Sequence, residues 1–176
     1  VGLRAPAVSS WVAGQPAGPA LRAQLVPGLW GGVAGAAWLW LLSRLAPAAL
    51  QPSDPANAMP LAVKLLYGGI TEELLMRWGV MTLLLWLGWR LLRRGHGQPR
   101  NGLVATAVLF SAVLFAVGHL PAAQAMAGVL TMPVVAFVLV GNTVFGLVAG
   151  GLFARHGLEA AIIAHVLAHL LASPLL

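Results

Sequence analysis

The sequence contains no cysteine and few charged residues. Of 176 residues, Asp, Glu, Lys and Arg together make up 8%, and Cys is absent. The missing thiols exclude disulfides, thiolate metal sites and a cysteine nucleophile. The rest is strongly apolar, with 60% hydrophobic residues and a mean hydropathy of +0.89. Soluble domains rarely have this composition, so the sequence predicts a polytopic integral membrane protein.

The net charge of +6 does not indicate nucleic acid as a partner. Basic residues lie at the edges of apolar runs and are not interleaved with aromatic residues, so we interpret them as topology signals. The positive-inside rule places the densest cluster in the cytoplasm. The cluster comprises Arg90, Arg93, Arg94 and Arg100. Counting spans from it predicts a cytoplasmic amino terminus in the cell (inner) membrane, with membrane lipids as partners.

Five apolar segments are candidates to cross a bilayer core, which needs about 20 residues of helix. The predicted fold class is therefore an all-α, polytopic transmembrane helix bundle of about five spans. The spans are 26–45, 60–92, 102–120, 129–154 and 158–172. Pro121 is predicted to end the third span. Residues 1–25 are interpreted as an amino-terminal arm, and residues 26–176 as one membrane domain.

Small and polar residues in the spans predict how the helices pack. Gly31 with Gly35, and Gly146 with Gly150, place small residues on one helix face, where another backbone can approach closely. Asn142, in the fourth span, needs a hydrogen-bond partner, either beside a functional site or on another helix.

The second span carries three ionisable residues, Glu72, Glu73 and Arg77. A charge near the bilayer centre costs at least about 2.5 kcal/mol on insertion scales, so each charge needs compensation. Glu73 and Arg77 are four residues apart, which suits a salt bridge on one helix face. Glu72 is turned roughly 100° from Glu73 on an α-helix and must face another partner or a hydrated cavity.

Three histidines lie in the later spans. His119 ends the third span, and Phe115 lies four residues earlier on the same face, able to pack against the imidazole. His165 and His169 are four residues apart on the fifth span, roughly 6 Å along one face. Together with Glu72, these histidines form a candidate water-activating site contributed by three helices.

These motifs resemble a known family. In order along the chain they are Glu72-Glu73-x-x-x-Arg77, Phe115-x-x-x-His119, and His165 with a polar residue four positions later. On successive membrane helices, this series is similar to the CAAX-protease and bacteriocin-processing family of intramembrane endopeptidases. The resemblance covers about residues 61–171. It implies a protease domain that hydrolyses a peptide bond of a membrane-associated peptide or a lipidated protein.

The resemblance also implies residue roles. Glu72 would be the base that activates water, helped by His119, while His165 and His169 would stabilise the oxyanion. The supporting residues would be Glu73, Arg77, Phe115 and Asn142.

His169 departs from the family, which usually has Asn or Asp at this position. An imidazole donates a hydrogen bond to an oxyanion as an amide does, but it also binds metals. The alternative is therefore a zinc protease with Glu72, His119, His165 and His169 as ligands. We favour a mechanism without a cofactor, because one histidine pair with distant partners lacks the local spacing of helix-borne zinc motifs.

Two other function classes also use buried ionisable residues. A proton-relay transporter uses Glu, His and Arg inside the membrane, but rarely needs an unpaired acid and three histidines around one water. A non-catalytic scaffold or immunity protein would keep the helices and their ion pair without the chemistry.

Overall fold

The computed structural model describes residues 6–51, 59–92, 94 and 96–173. Every regular element in these ranges is helical, and no strand occurs among them. The predicted all-α fold class is confirmed.

Seven helical elements follow one another along the described part of the chain. They are α1 (Pro6–Val12), α2 (Gly18–Leu45), the helical run α3 (61–92), α4 (Asn101–Gly118), α5 (Leu120–Ala127), α6 (Met132–Arg155) and α7 (Leu158–Ala172), with a 3-10 turn at Ala48–Leu50. The hydrogen-bonding pattern of α3 changes along its length. Its ends, Leu61–Val63 and Thr82–Leu92, are α-helical, while Lys64–Glu72 and Leu74–Met81 are π-helical.

Within the described residues, three stretches of helix are long and apolar enough to cross a bilayer. These are α2, the stretch formed by α4 and α5, and α6. α7 is apolar but shorter, and α3 is interrupted by its π-helical segments. The described residues thus form a membrane helix bundle with three candidate spans and further apolar helices, and the count of five spans stays a prediction.

The helix limits agree with prediction at the carboxyl end and differ at the amino end. α7 occupies residues 158–172, as predicted. α2 begins at Gly18 rather than at residue 26, and so it includes part of the predicted arm. Within that part, Gln24 is buried against α7. The division into an arm, 1–25, and a membrane domain, 26–176, stays a prediction.

Pro121 does not end the helical stretch in which it lies. α4 ends at Gly118, and helix resumes at Leu120 with Pro121 in the first turn of α5. A first-turn N–H has no intrahelical partner, so proline loses nothing there. The prediction that Pro121 stops the third span is therefore wrong, and the break falls at His119.

Glycines allow α7 and α4 to approach their neighbours closely. A Cβ added to Gly35 of α2 would lie 2.9 Å from the Ala168 Cβ of α7. A Cβ added to Gly146 of α6 would lie 2.9 Å from the Ala112 Cα of α4. Non-bonded carbons prefer about 3.5 to 4.0 Å, so neither position tolerates a side chain without a shift of the helices. The predicted packing role of the glycine pairs is confirmed.

The interior is apolar except at Gln24, between α2 and α7, and where α3, α4 and α7 meet. Large side chains such as Met81, Leu85 and Phe153 are almost completely buried. Many outward-facing Leu, Val and Trp side chains remain exposed, as expected of a surface that contacts lipid. Glu73 and Arg77 are nevertheless wholly buried, so two charged groups lie inside the bundle.

Candidate active site

The π-helical segments of α3 set the directions of the two adjacent glutamates. A π-helix closes its hydrogen bonds between residues five apart and so has a wider turn than an α-helix; such segments are frequent at functional sites. The hydroxyls of Thr71 and Thr82 donate to carbonyls five residues back, on Leu66 at 3.1 Å and on Arg77 at 3.3 Å. Glu72, at the end of the first segment, and Glu73, beside it, contact two different helices.

Glu72 meets His119 at the break between α4 and α5. Glu72 Oε1 lies 3.8 Å from His119 Nε2, beyond direct hydrogen-bond distance. The other ring nitrogen, Nδ1, lies 2.7 Å from the Phe115 carbonyl oxygen. Because a carbonyl only accepts, Nδ1 must carry the proton, which leaves Nε2 of the neutral ring as an acceptor facing Glu72. Glu72 therefore faces an acceptor nitrogen of His119 without bonding to it directly.

Glu73 binds two cationic or potentially cationic groups. Its Oε2 lies 3.1 Å from Arg77 Nε, which confirms the predicted ion pair. Its Oε1 lies 2.8 Å from His165 Nδ1 on α7, a contact that sequence spacing did not predict. Both Glu73 and Arg77 are completely buried, and the Arg77 guanidinium lies 5.0 Å from the centre of the Phe115 ring. Glu73 thus links α3 to α7, the helix that carries His165 and His169.

His165 and His169 stack one above the other on α7. Their ring centres are 5.0 Å apart with an angle of 25° between the planes. His165 also packs against Phe145, at 4.6 Å between ring centres. Gly68 leaves room for the histidine pair, because a Cβ at Gly68 would lie 3.1 Å from His169 Nε2 and 3.8 Å from His165 Nε2.

Phe115 lies between the two carboxylate–histidine pairs. Its ring meets His119 edge-on at 4.5 Å, as the predicted packing requires, and His165 edge-on at 6.2 Å. The Glu72–His119 pair and the Glu73–His165 pair are thereby separated by one aromatic ring. The structure brings together the glutamates, Arg77, Phe115 and the three span histidines, although their catalytic roles stay predictions.

A cleft of about 120 Å³ opens beside Glu72, between α3 and α4. Its lining combines Glu72 and His119 with apolar side chains and one phenol: Tyr67, Leu75, Met76, Leu114 and Phe115, next to Gly118. A larger apolar groove of about 430 Å³, along α2 and the end of α7, contains no ionisable group. The smaller cleft is therefore the one lined by ionisable groups, which general acid–base catalysis requires.

Asn142 makes a side-chain hydrogen bond within its own helix. Its side-chain nitrogen donates to the Val138 carbonyl oxygen of its own helix at 2.9 Å. The structure thus satisfies Asn142 within α6, whereas the sequence suggested a partner beside the site or on another helix.

Comparison with known proteins assigns the chain to a family. The family model for Type II CAAX prenyl endopeptidase Rce1-like matches residues 54–171, more than half of the chain. The chain belongs to this family. The resemblance seen in the motifs is confirmed, and the Rce1-like chain is an intramembrane protease by class. Searches of curated proteins and of solved structures each gave no match.

The Rce1-like region contains both carboxylate–histidine pairs, from Glu72 to His165, and also His169. α1 and α2 precede it. The family match therefore accounts for the candidate site but not for the helix that packs along α7.

The zinc alternative does not fit the side chains as they are placed. Within the described residues, no three His, Asp or Glu side chains lie close enough to hold one metal ion. We therefore derive no step through a metal.

Ser111 is a supporting residue that the sequence did not reveal. It is buried, and its hydroxyl donates to the Met76 carbonyl oxygen of α3 at 3.0 Å, which joins the helix of His119 to that of Glu72. A serine in an apolar run is the only sequence signal for such a bond, and it does not name the partner.

We expect Ser111→Ala to lower the free energy of unfolding by about 0.6 to 1.7 kcal/mol, the range measured for hydrogen bonds between membrane helices. Thr106→Ala is the matched control, since Thr106 is exposed and bonds only to Gly102 of its own helix. Unfolding titrations in mixed micelles compare the two variants. Equal free energies of unfolding for Ser111→Ala and Thr106→Ala would show that the Ser111 hydrogen bond does not stabilise the bundle.

Proposed function

We propose that the chain is an intramembrane endopeptidase that hydrolyses a peptide bond with water activated by Glu72. One observation carries this proposal: adjacent glutamates on a π-helical turn each meet a different histidine, Glu72 with His119 at 3.8 Å and Glu73 with His165 at 2.8 Å. The first pair is spaced for a water between its members, and the second is in direct contact.

The Glu72–His119 pair is suited to bind one water. Two polar atoms 3.8 Å apart are too far for a direct hydrogen bond, and both can be reached by a single bridging water. The neutral His119 ring presents an unprotonated Nε2, and Glu72 presents a carboxylate oxygen. The water donates one hydrogen to each, which turns its lone pairs away from both groups and towards a substrate carbonyl.

Glu72 then acts as the general base. It takes one proton from the water as the water oxygen attacks the carbonyl carbon, and the carbonyl becomes an oxyanion. When the tetrahedral intermediate collapses, the C–N bond breaks and the leaving amine takes the proton from Glu72. One water is consumed, and the carboxylate is regenerated.

His165 and His169 stabilise the oxyanion in this proposal. His165 Nδ1 is held by Glu73, so His165 donates from Nε2 only as an imidazolium, and the adjacent Glu73 carboxylate compensates that charge. His169, stacked on His165, supplies a second donor at the position where the family usually has Asn or Asp. No metal is needed for any of these steps.

The proposed substrate is a membrane-associated peptide or a lipidated protein. The cleft beside Glu72 is mostly apolar and lies in a bundle whose outer surface exposes many large apolar side chains. The description of the family as prenyl endopeptidases supports a lipidated tail as one substrate class. We further propose a multi-pass protein of the cell (inner) membrane with a cytoplasmic amino terminus, on the basis of its arginine cluster.

We expect His169→Asn to retain at least part of the activity, because asparagine keeps a donor for the oxyanion. The assay measures cleavage of a membrane-anchored peptide, with and without a lipid group, by the parent and the variant. Zinc content is determined on the same preparations. Stoichiometric zinc in the parent, lost together with activity in His169→Asn, would overturn the glutamate mechanism and leave a metalloprotease.

A further inference from the structure

The first turn of α7 lacks a cap from its own sequence. The N-cap residue is Gly157, which has no side chain and adopts φ 121°. The first four N–H groups of any helix have no partner within the helix and need an acceptor from elsewhere. In α7 the N–H of Ala160 depends on an acceptor from the protein, because Ala160 is completely buried and water cannot reach it.

Gln24 of α2 supplies that acceptor from a distant part of the chain. Its Oε1 accepts the Ala160 N–H at 3.1 Å, and its Nε2 donates to the Ala20 carbonyl oxygen at 3.2 Å. The side chain is 1% exposed. Both ends of the amide are therefore occupied, and its orientation is fixed by α2.

From this bond onward α2 follows α7 at close range. A Cβ on Gly28 would lie 2.9 Å from Ile163 Cβ, and one on Gly31 would lie 3.0 Å from Ala164 Cβ. These neighbours are the two residues that directly precede His165 in α7. Gln24 therefore sits at the start of an interface that fixes the position of the histidine helix.

We infer that Gln24 is a positioning residue for the active site, acting through α7 on His165. The inference rests on the proposed peptidase function, and it extends the catalytic unit beyond the family-matched region, since Gln24 precedes residue 54. Ala160 and His165 are five residues apart, roughly 7.5 Å along the axis. A tilt of α7 at its first turn moves His165 relative to Glu73, with which its ring makes a 2.8 Å bond.

The test replaces Gln24 with methionine, which keeps the length of the side chain and removes the acceptor. A displacement of about 1 Å remote from the chemistry can cost about 10²-fold in rate. We therefore expect kcat for the membrane-anchored peptide to fall by about 10- to 100-fold, with KM within about twofold. Gln24→Glu restores an acceptor at the start of α7 and should recover part of the loss, because its second oxygen replaces the amide donor to Ala20.

A second readout does not depend on catalysis. Modification of His165 by diethylpyrocarbonate, followed by mass spectrometry, reports whether the ring stays buried against Glu73. We expect it to be several-fold faster in Gln24→Met than in the parent and unchanged in Ser43→Ala, whose hydroxyl bonds only within α2. If the parent cleaves no peptide, the proposed function fails, and this rate alone decides the positioning role.

Two results would overturn the inference. Gln24→Met could lower the melting temperature while His165 reacts at the parental rate, which would make Gln24 a stabilising residue only. Alternatively, a parental kcat despite faster modification of His165 would show that the position of α7 does not limit the reaction.

Discussion

Glu72→Gln should abolish peptide cleavage in a protein that remains folded. Glutamine keeps the size of the side chain and can still reach His119, but it cannot take a proton from water. Loss of a general base typically costs about 10²- to 10⁴-fold in rate. Because Glu72 is not part of the Glu73–Arg77 ion pair, its neutralisation leaves no unpaired charge inside the bundle. Cleavage of the membrane-anchored peptide, normalised to monodisperse protein in detergent, measures the effect.

Glu159→Gln is the matched control for this variant. Glu159 lies in the first turn of α7, and its Oε1 accepts hydrogen bonds from the backbone of Ala7 and Val8. A glutamine there still accepts those bonds, so we expect cleavage within about twofold of the parent. Undiminished activity in Glu72→Gln would remove the best candidate for the base and overturn the proposed mechanism.

The sequence predicted the helices best where hydrophobicity and turn residues agree. α7 occupies 158–172 as predicted, because Gly157 and the end of the apolar run mark its limits. Pro121 misled the prediction, since the same residue that breaks a helix interior is favourable in a first turn. The early start of α2 at Gly18 was missed because Pro and Gly in that stretch suggested a flexible arm.

The candidate site could be predicted only as far as local spacing reaches. The Glu73–Arg77 pair follows from residues four apart on one helix face. The π-helical turns were not predictable, because a rotation of roughly 100° per residue describes only an α-helix. The Glu73–His165 bond joins residues 92 positions apart, and the Gln24–Ala160 bond joins residues 136 positions apart. Such contacts depend on how whole helices pack, which no short motif encodes.

Arg77→Met should destabilise the fold before it affects chemistry. Methionine fills much of the same space, but it leaves the Glu73 carboxylate buried with only His165 beside it. Removing one partner of a buried ion pair costs about 3 to 5 kcal/mol. We therefore expect the free energy of unfolding in mixed micelles to fall by about that amount, with cleavage lost in proportion to the unfolded fraction.

The double variant Glu73→Gln with Arg77→Met separates the two effects. It removes both charges, so most of the lost stability should return, as it does when buried ion pairs are replaced by neutral groups of similar volume. Cleavage by the double variant should remain about 10²-fold below that of the parent, because an amide at position 73 no longer compensates an imidazolium at His165. Full recovery of cleavage in the double variant would mean that His165 works as a neutral ring. If Arg77→Met instead stays fully folded and loses only turnover, Arg77 contacts the substrate directly.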